Sequence, residues 1–192
     1  MVLINAFEVS IEADERFIAE WERARDFVAG RGGFRNTTLH RSVREEAEFR
    51  FADVAQVESP QAWSEAVSDP AFPGREMPFR SHPSLYEVVH DEGTTDGSEG
   101  VVLINLFEVP PDADEPFVAG WHRAREFFAR QQGYLGTRLH RSAGPADFRF
   151  VNIARWSSPL MLFRALRQPE FAATAGGMPY ASHPALYGVI RG

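Results

Sequence analysis

The chain repeats itself, and that repetition limits its fold more than any other feature. The segment VLINAFEV at residues 2–9 returns as VLINLFEV at 102–109. Phe17 followed by WERAR at 21–25 returns as Phe117 followed by WHRAR at 121–125. SHPSLY at 81–86 returns as SHPALY at 182–187. A period of about 100 residues exceeds that of solenoid repeats, so each copy is expected to be domain-sized. The expected division is residues 1–90, a linker at 91–100 and residues 101–192. Residues 91–100, DEGTTDGSEG, are polar and glycine-rich with no apolar side chain, which predicts a flexible connection.

The two copies share one order of elements. Val2 to Val9 is an apolar strand, with Asn5 and Phe7 on one face and Ile4, Ala6 and Glu8 on the other. A helix is predicted over about Ala13 to Ala29, because Phe17, Trp21, Ala24 and Val28 recur at helical spacing. Gly30 with Gly32 and Gly33 supply its stop, as Gly133 does in the second copy. Two strands follow, about Thr37 to Val43 and Phe49 to Val57. Ser59-Pro60 and Ser158-Pro159 open a second helix, with serine as cap and proline in the first turn. A last strand is predicted over Leu85 to Val89, or Leu186 to Ile190. Strand, helix, strand, strand, helix, strand is the ferredoxin-like order, an α+β fold with both helices on one face of a sheet. The other face is also apolar, at Val151 and Ile153 for example. The expectation is therefore two ferredoxin-like repeats packed sheet to sheet as an intrachain α+β barrel.

Composition narrows the function. The net charge of −7 lacks the basic face that nucleic acid requires. The absence of cysteine removes disulfides, thiolate metal sites and thiol nucleophiles. The N-terminus lacks the pattern of a signal peptide, and no apolar run approaches the roughly 18 residues that span a bilayer, so a soluble cytoplasmic protein is expected. No metal-ligand spacing, phosphate loop or nucleophile elbow is present.

The two copies differ most where LHRS is followed by a third strand. LHRS at 139–142 precedes FRFVNIARW at 148–156, whereas LHRS at 39–42 precedes FRFADVAQV at 49–57. Asn152 and Trp156 stand four apart on a strand and leave the same face, with Phe148, Phe150 and the small Ala154. Facing the helices, they would line an aromatic pocket with one amide and one indole N–H. The plainer alternative is a core tryptophan and an amide bonded to backbone. In the first copy Asp53 replaces the asparagine, and burial without a partner would cost it more. His140 and His40 carry imidazoles able to take a phenolic proton near neutral pH, or serve as structural bridges kept by both copies. Asn105 and Asn5 share a face with Phe107 and Phe7 and could add an amide to each pocket. Trp121 and Trp21 sit on the apolar stripe of the first helix, which would also wall the pocket. His82 and His183, ahead of prolines, are expected as strand entries, and Arg41, Arg141, Arg50 and Arg149 as solvated edge residues.

With these residues in place, the unit resembles the antibiotic biosynthesis monooxygenase superfamily of dimeric α+β-barrel proteins, once per copy. Leu139-His140 and Asn152 followed by Trp156 are similar to the pattern of its cofactor-free quinone-forming monooxygenases of aromatic polyketide pathways. Only His40 fits in the first copy. A tyrosine of that group on helix two has no counterpart at Leu162 or Trp63, and its arginine has no assigned position. The haem-degrading branch uses a tryptophan and a histidine where this chain has Ala66 or Ala165 and Glu76 or Ala175, so haem cleavage is disfavoured.

The resemblance implies a cofactor-independent oxygenase with molecular oxygen as co-substrate. It would oxidise a polycyclic phenol or anthrone to a quinone and form a monomeric pseudo-dimer or a homodimer of it. In that reading His140, Asn152 and Trp156 are catalytic, and Phe148, Phe150, Asn105, Phe107, Trp121, His40 and Asp53 bind substrate. The alternatives are a polyketide cyclase or aromatase without oxygen chemistry and a non-catalytic binder of an intermediate.

Overall fold

In a computed structural model, residues 1–92, 100–175 and 178–192 are described. The remainder of the expected linker, 93–99, lies outside them. The first repeat contains β1 (Val2–Glu8), α1 (Asp14–Ala29), β2 (Phe34–Ser42), β3 (Phe51–Val57), α2 (Pro60–Ser68) and β4 (Arg80–Glu92). The second contains β5 (Val101–Glu108), α3 (Asp114–Ala129), β6 (Tyr134–Ser142), β7 (Phe150–Trp156), α4 (Pro159–Leu166), α5 (Pro169–Ala175) and β8 (Ala181–Arg191). The expected α+β, ferredoxin-like order is present twice. The helix α5 was not foreseen, and β4 and β8 outrun their predicted lengths.

In the first repeat β1 pairs antiparallel with both β3 and β4, and β3 pairs with β2, giving the order β4-β1-β3-β2. The second repeats it as β8-β5-β7-β6. The helix starts follow from sequence: the Ser59 hydroxyl accepts from the Ala62 N–H at 3.1 Å, and Ser158 from Met161 at 3.4 Å, each with proline in the first turn. Gly33 and Gly133, at φ of 95° and 87°, make the turn after the first helix that a side chain would resist.

Each core is an aromatic stack between its long helix and sheet. Phe17 of α1 stacks on Phe51 of β3 at 4.3 Å and meets Phe7 of β1 edge-on at 4.8 Å. Phe117 does the same with Phe150 and Phe107, at 4.3 and 4.9 Å. Trp21 and Leu39, or Trp121 and Leu139, complete the clusters. Arg50 and Arg149, expected at the solvated edge, instead clamp the sheet to the helix. Arg50 makes bonds of 3.0 and 2.6 Å to both carboxylate oxygens of Asp14, and Arg149 bonds of 2.9 and 2.6 Å to Asp114. Both carboxylates lie in the first turn of a long helix, where its dipole also favours them.

The chain divides by contacts into two units. The first comprises Met1–Glu87, Ala143–Ala146 and Val189–Gly192; the second, Val88–Ser142 and Asp147–Gly188. The second unit thus includes the last residues of β4. Asp91 and Glu92, expected in the linker, are strand residues, held there because Arg138 and Arg125 supply cations to them. Among the described residues no helix is long and apolar enough to cross a membrane.

Candidate functional site

The second unit encloses a cavity of about 370 Å3 between its sheet and helices. Strand alternation selects the floor: Leu103, Asn105 and Phe107 from β5, Thr137 from β6, and Asn152, Ala154 and Trp156 from β7. The β5–β7 register sets Asn105 opposite Asn152. One turn of α3 adds Trp121 and Arg125, and Phe128, Tyr134 and Tyr180 close the walls.

Asn152 is held at the cavity by two hydrogen bonds. Its Oδ1 accepts from the Trp121 indole N–H at 3.1 Å and from the Thr137 hydroxyl at 2.7 Å. An indole N–H can only donate, so the amide atom facing it must be the oxygen. The NH2 end is then the free end, with no partner among the described residues, on a side chain that lines the cavity. Two further polar atoms belong to lining residues. Trp156 Nε1 and Asn105 Oδ1 are buried without a hydrogen-bond partner among the described residues. A buried unmatched donor or acceptor costs about 1–3 kcal/mol, which a bound polar ligand would recover. The Trp156 ring itself is held edge-on by Phe128 at 5.7 Å and Tyr134 at 5.5 Å.

Arg125 is the charged residue among the described lining residues, and it is paired with Glu92. Arg125 donates through Nε to Glu92 at 3.0 Å and again through Nη2, and the Tyr134 hydroxyl donates to the same carboxylate at 2.8 Å. The Arg125 bond, with help from Tyr134, holds Glu92 below the usual carboxylate range. Burial, then the bond to Glu92, pushes the Tyr134 hydroxyl up, so it stays protonated. Beside them His90 meets the Trp121 ring edge-on at 5.0 Å, and burial lowers its pKa.

The predicted residues divide accordingly. Asn152, Trp156, Asn105, Phe107 and Trp121 are brought together. His140 is not. Leu139 packs with Phe117 and Trp121 on the helix side, so His140, one residue on, points to the opposite face, paired in register with Val151. Its Nδ1 lies 3.2 Å from the Val151 carbonyl, and burial lowers its pKa to about 4. His40 repeats this against Ala52, also at about 4. Both are neutral, structural imidazoles outside the two cavities, which corrects their predicted catalytic and binding roles. Phe150 is consumed by its stack on Phe117, and Phe148 meets His183 edge-on at 5.3 Å; neither lines the cavity. His82 and His183 turn to Glu8 and Glu108, at 3.1 and 3.0 Å, while the neighbouring serines and prolines reach the cavities.

The first unit has its own cavity, about 240 Å3, and Asp53 lines it. Thr37 and Trp21 bond to Asp53 as Thr137 and Trp121 bond to Asn152. Burial pushes the carboxyl up to about 6 against these two bonds. Thr37, Thr137, Arg125, Tyr134 and Glu92 are functional-site residues that the sequence pattern does not single out. The retention of threonine in both copies was a usable signal. The pairing of Glu92 across 33 residues to Arg125 was not.

Residues 100–176 match the model of the antibiotic biosynthesis monooxygenase family. No curated protein matches the chain by sequence. Among solved structures, an anthrone oxidase-like protein aligns over 99% of this chain and 91% of its own at 16% identity, with a TM-score of 0.81. A ferredoxin fold protein related to antibiotic biosynthesis monooxygenases, from Listeria monocytogenes 4b F2365, aligns over 100% and 96% at 16% identity, with a TM-score of 0.51. SnoaB, a cofactor-independent oxygenase from Streptomyces nogalater, aligns over 45% of this chain and 88% of its own at 33% identity, with a TM-score of 0.41. At these identities the first two show a shared fold.

Proposed function

Starting from a chain whose second repeat belongs to the antibiotic biosynthesis monooxygenase family, we propose that the second-unit cavity is a monooxygenase site. It oxidises a flat phenol- or anthrone-type molecule to a quinone, with molecular oxygen as co-substrate and no cofactor. The observation that carries this is the Asn152 amide, locked by Trp121 and Thr137 so that its NH2 is offered to the cavity. A donor held in advance where negative charge develops is the main way a protein assists such a reaction.

The substrate supplies the electrons. Loss of a proton from its reactive carbon leaves an enolate, which passes one electron to oxygen. The ring radical and superoxide recombine at that carbon to a peroxide anion, and a proton completes the hydroperoxide. Elimination of water then leaves a carbonyl, so one oxygen atom ends in the quinone and the other in water. No carboxylate or imidazole is among the described lining residues, so in this reading the chain promotes proton loss by stabilising the anion rather than by supplying a base. Asn152 Nδ2–H and Trp156 Nε1–H donate toward the enolate and then the peroxide oxygen. Asn105 Oδ1 accepts a ring hydroxyl, and the aromatic walls hold the plane.

The test is oxygen uptake with 1,8-dihydroxyanthrone as probe. One oxygen molecule should be consumed per quinone formed, and Asn152→Ala should lower kcat about 100-fold or more, as loss of an oxyanion donor does. Full turnover by Asn152→Ala overturns the assignment. Product formation without oxygen uptake overturns the oxygenase reading in favour of cyclase or aromatase chemistry.

A further inference from the structure

The two cavities are built on one frame and differ at its polar centre. In the second, Trp121 and Thr137 fix the oxygen of Asn152 and leave an NH2 donor facing the space. In the first, Thr37 donates to Asp53 Oδ1 and Trp21 also bonds to the carboxyl. Asp53 is 8% exposed and lines the cavity. Asparagine and aspartate are isosteric, so the frame is kept while the polarity reverses: one cavity offers a donor, the other an acceptor. The first cavity is also apolar and aromatic. Trp63 and Phe72 help to wall it, and Phe34 stands where the second has Tyr134. Asn5, the counterpart of Asn105, is no longer open, because its Oδ1 accepts the His82 N–H at 2.9 Å. Asp53 is therefore the carboxylate acceptor in a largely apolar, aromatic-walled space.

We infer that the first-repeat cavity is a second ligand site, selective for flat aromatic molecules that donate a hydroxyl hydrogen bond to Asp53. Its ligand class is the protonated phenol or enol, not the quinone or its anion. An ionised carboxylate has about four lone-pair sites and Asp53 has two bonded donors, Thr37 and Trp21, so a carboxylate oxygen can still accept from a phenol O–H. An ether or a quinone sets its own lone pairs against that oxygen and leaves it desolvated. Burial holds the carboxyl near 6, so it is mostly ionised and able to accept at pH 7.5. Arg25, which also lines the cavity, is the other charged group facing it and stacks on the Trp21 ring at 5.3 Å. This inference holds whether or not the second site uses oxygen.

The chain's four tryptophans allow the sites to be read separately. Trp21 and Trp63 line the first cavity, Trp121 and Trp156 the second. Their indole N–H signals in a 1H–15N spectrum of the full chain, assigned by single Trp→Phe changes, would be followed during titration with 1-naphthol and with 1-methoxynaphthalene at pH 7.5. The expected result is saturable shifts at Trp21 and Trp63, with 1-naphthol binding roughly tenfold or more tighter than its methyl ether. In Asp53→Asn that preference is lost at Trp21 and Trp63, while the Trp121 and Trp156 signals keep their wild-type positions, showing that the fold is intact. Equal affinity for the two probes in wild type, no response at Trp21 and Trp63, or an undiminished preference in Asp53→Asn each overturns the inference. A response confined to Trp121 and Trp156 also overturns it and leaves the monooxygenase reading of the second cavity untouched.

Discussion

Replacing Glu92 tests whether the end of β4 is an integral part of the second unit. Glu92 accepts two hydrogen bonds from Arg125 and one from the Tyr134 hydroxyl, and the ion pair is about three-quarters buried, with side-chain exposures of 27% and 28%. Glu92→Ala removes all three and leaves a largely buried guanidinium and a partly buried phenol without their acceptor. Hydrogen bonds to a charged group contribute about 1.5–3 kcal/mol each when taken singly, but three to one group do not add. Breaking a buried pair by deleting one partner costs about 3–5 kcal/mol, and partial exposure lowers that to roughly 2–4 kcal/mol here. Glu92→Gln keeps an acceptor for Tyr134 and loses only the charge, so it should cost about half as much. Urea unfolding measures both, with an unchanged m-value marking a loss of stability rather than a changed unfolded state. A double-mutant cycle with Arg125→Gln should return a coupling above about 1 kcal/mol. A Glu92→Ala midpoint equal to wild type, or zero coupling, refutes the reasoning. It would mean that 91–92 behave as the linker their composition suggests.

Two other outcomes are expected. His40 and His140 have their pKa lowered from 6.5 to about 4 by burial, so the unfolded chain binds more protons between those values and stability is lost as pH falls through that window. Asp53, raised from 3.8 to about 6, acts oppositely: its contribution is present below about 4 and lost as pH rises through 6. At about 1.36 kcal/mol per unit, the two histidines outweigh the carboxyl by on the order of 3 kcal/mol. The urea midpoint should therefore be lower at pH 4.5 than at pH 7, and equal midpoints contradict this. Thr137→Val with Trp121→Phe removes both donors to the Asn152 oxygen, so the amide is free to turn. Steady-state kinetics should show a fall in kcat of roughly tenfold with a smaller change in KM. Loss confined to KM would mean that these residues shape the cavity without aiming the amide.

The fold was legible because periodicity and capping are local. Phe17, Trp21 and Val28 mark the buried face of α1, and Ser59 and Ser158 cap the helices at the predicted turns. The same-face placement of Asn152 and Trp156 was legible too, from alternation along one strand. His140 was assigned to the wrong side because alternation within a strand does not fix its phase against the next. The pairing of Leu139 with Asn152, after the irregularity between Tyr134 and Gly136, sets that phase. Phe148 and Phe150 look like pocket walls in sequence; only the stack with Phe117 shows that Phe150 belongs to the core. Glu92 was hidden by its setting, since a carboxylate beside glycines and threonines reads as solvated until Arg125 and Tyr134 are brought to it.

The central claim is that oxygen is reduced and incorporated at the Asn152 end of the second cavity. It is tested most directly by turnover of 1,8-dihydroxyanthrone under 18O2 with the metal-free, flavin-free protein. The account predicts one 18O atom in each new quinone carbonyl and the other in water. It also predicts a rate in Asn152→Ala/Trp156→Ala lower by about a hundredfold or more. Unlabelled product, or a double variant that turns over at the wild-type rate, would contradict it.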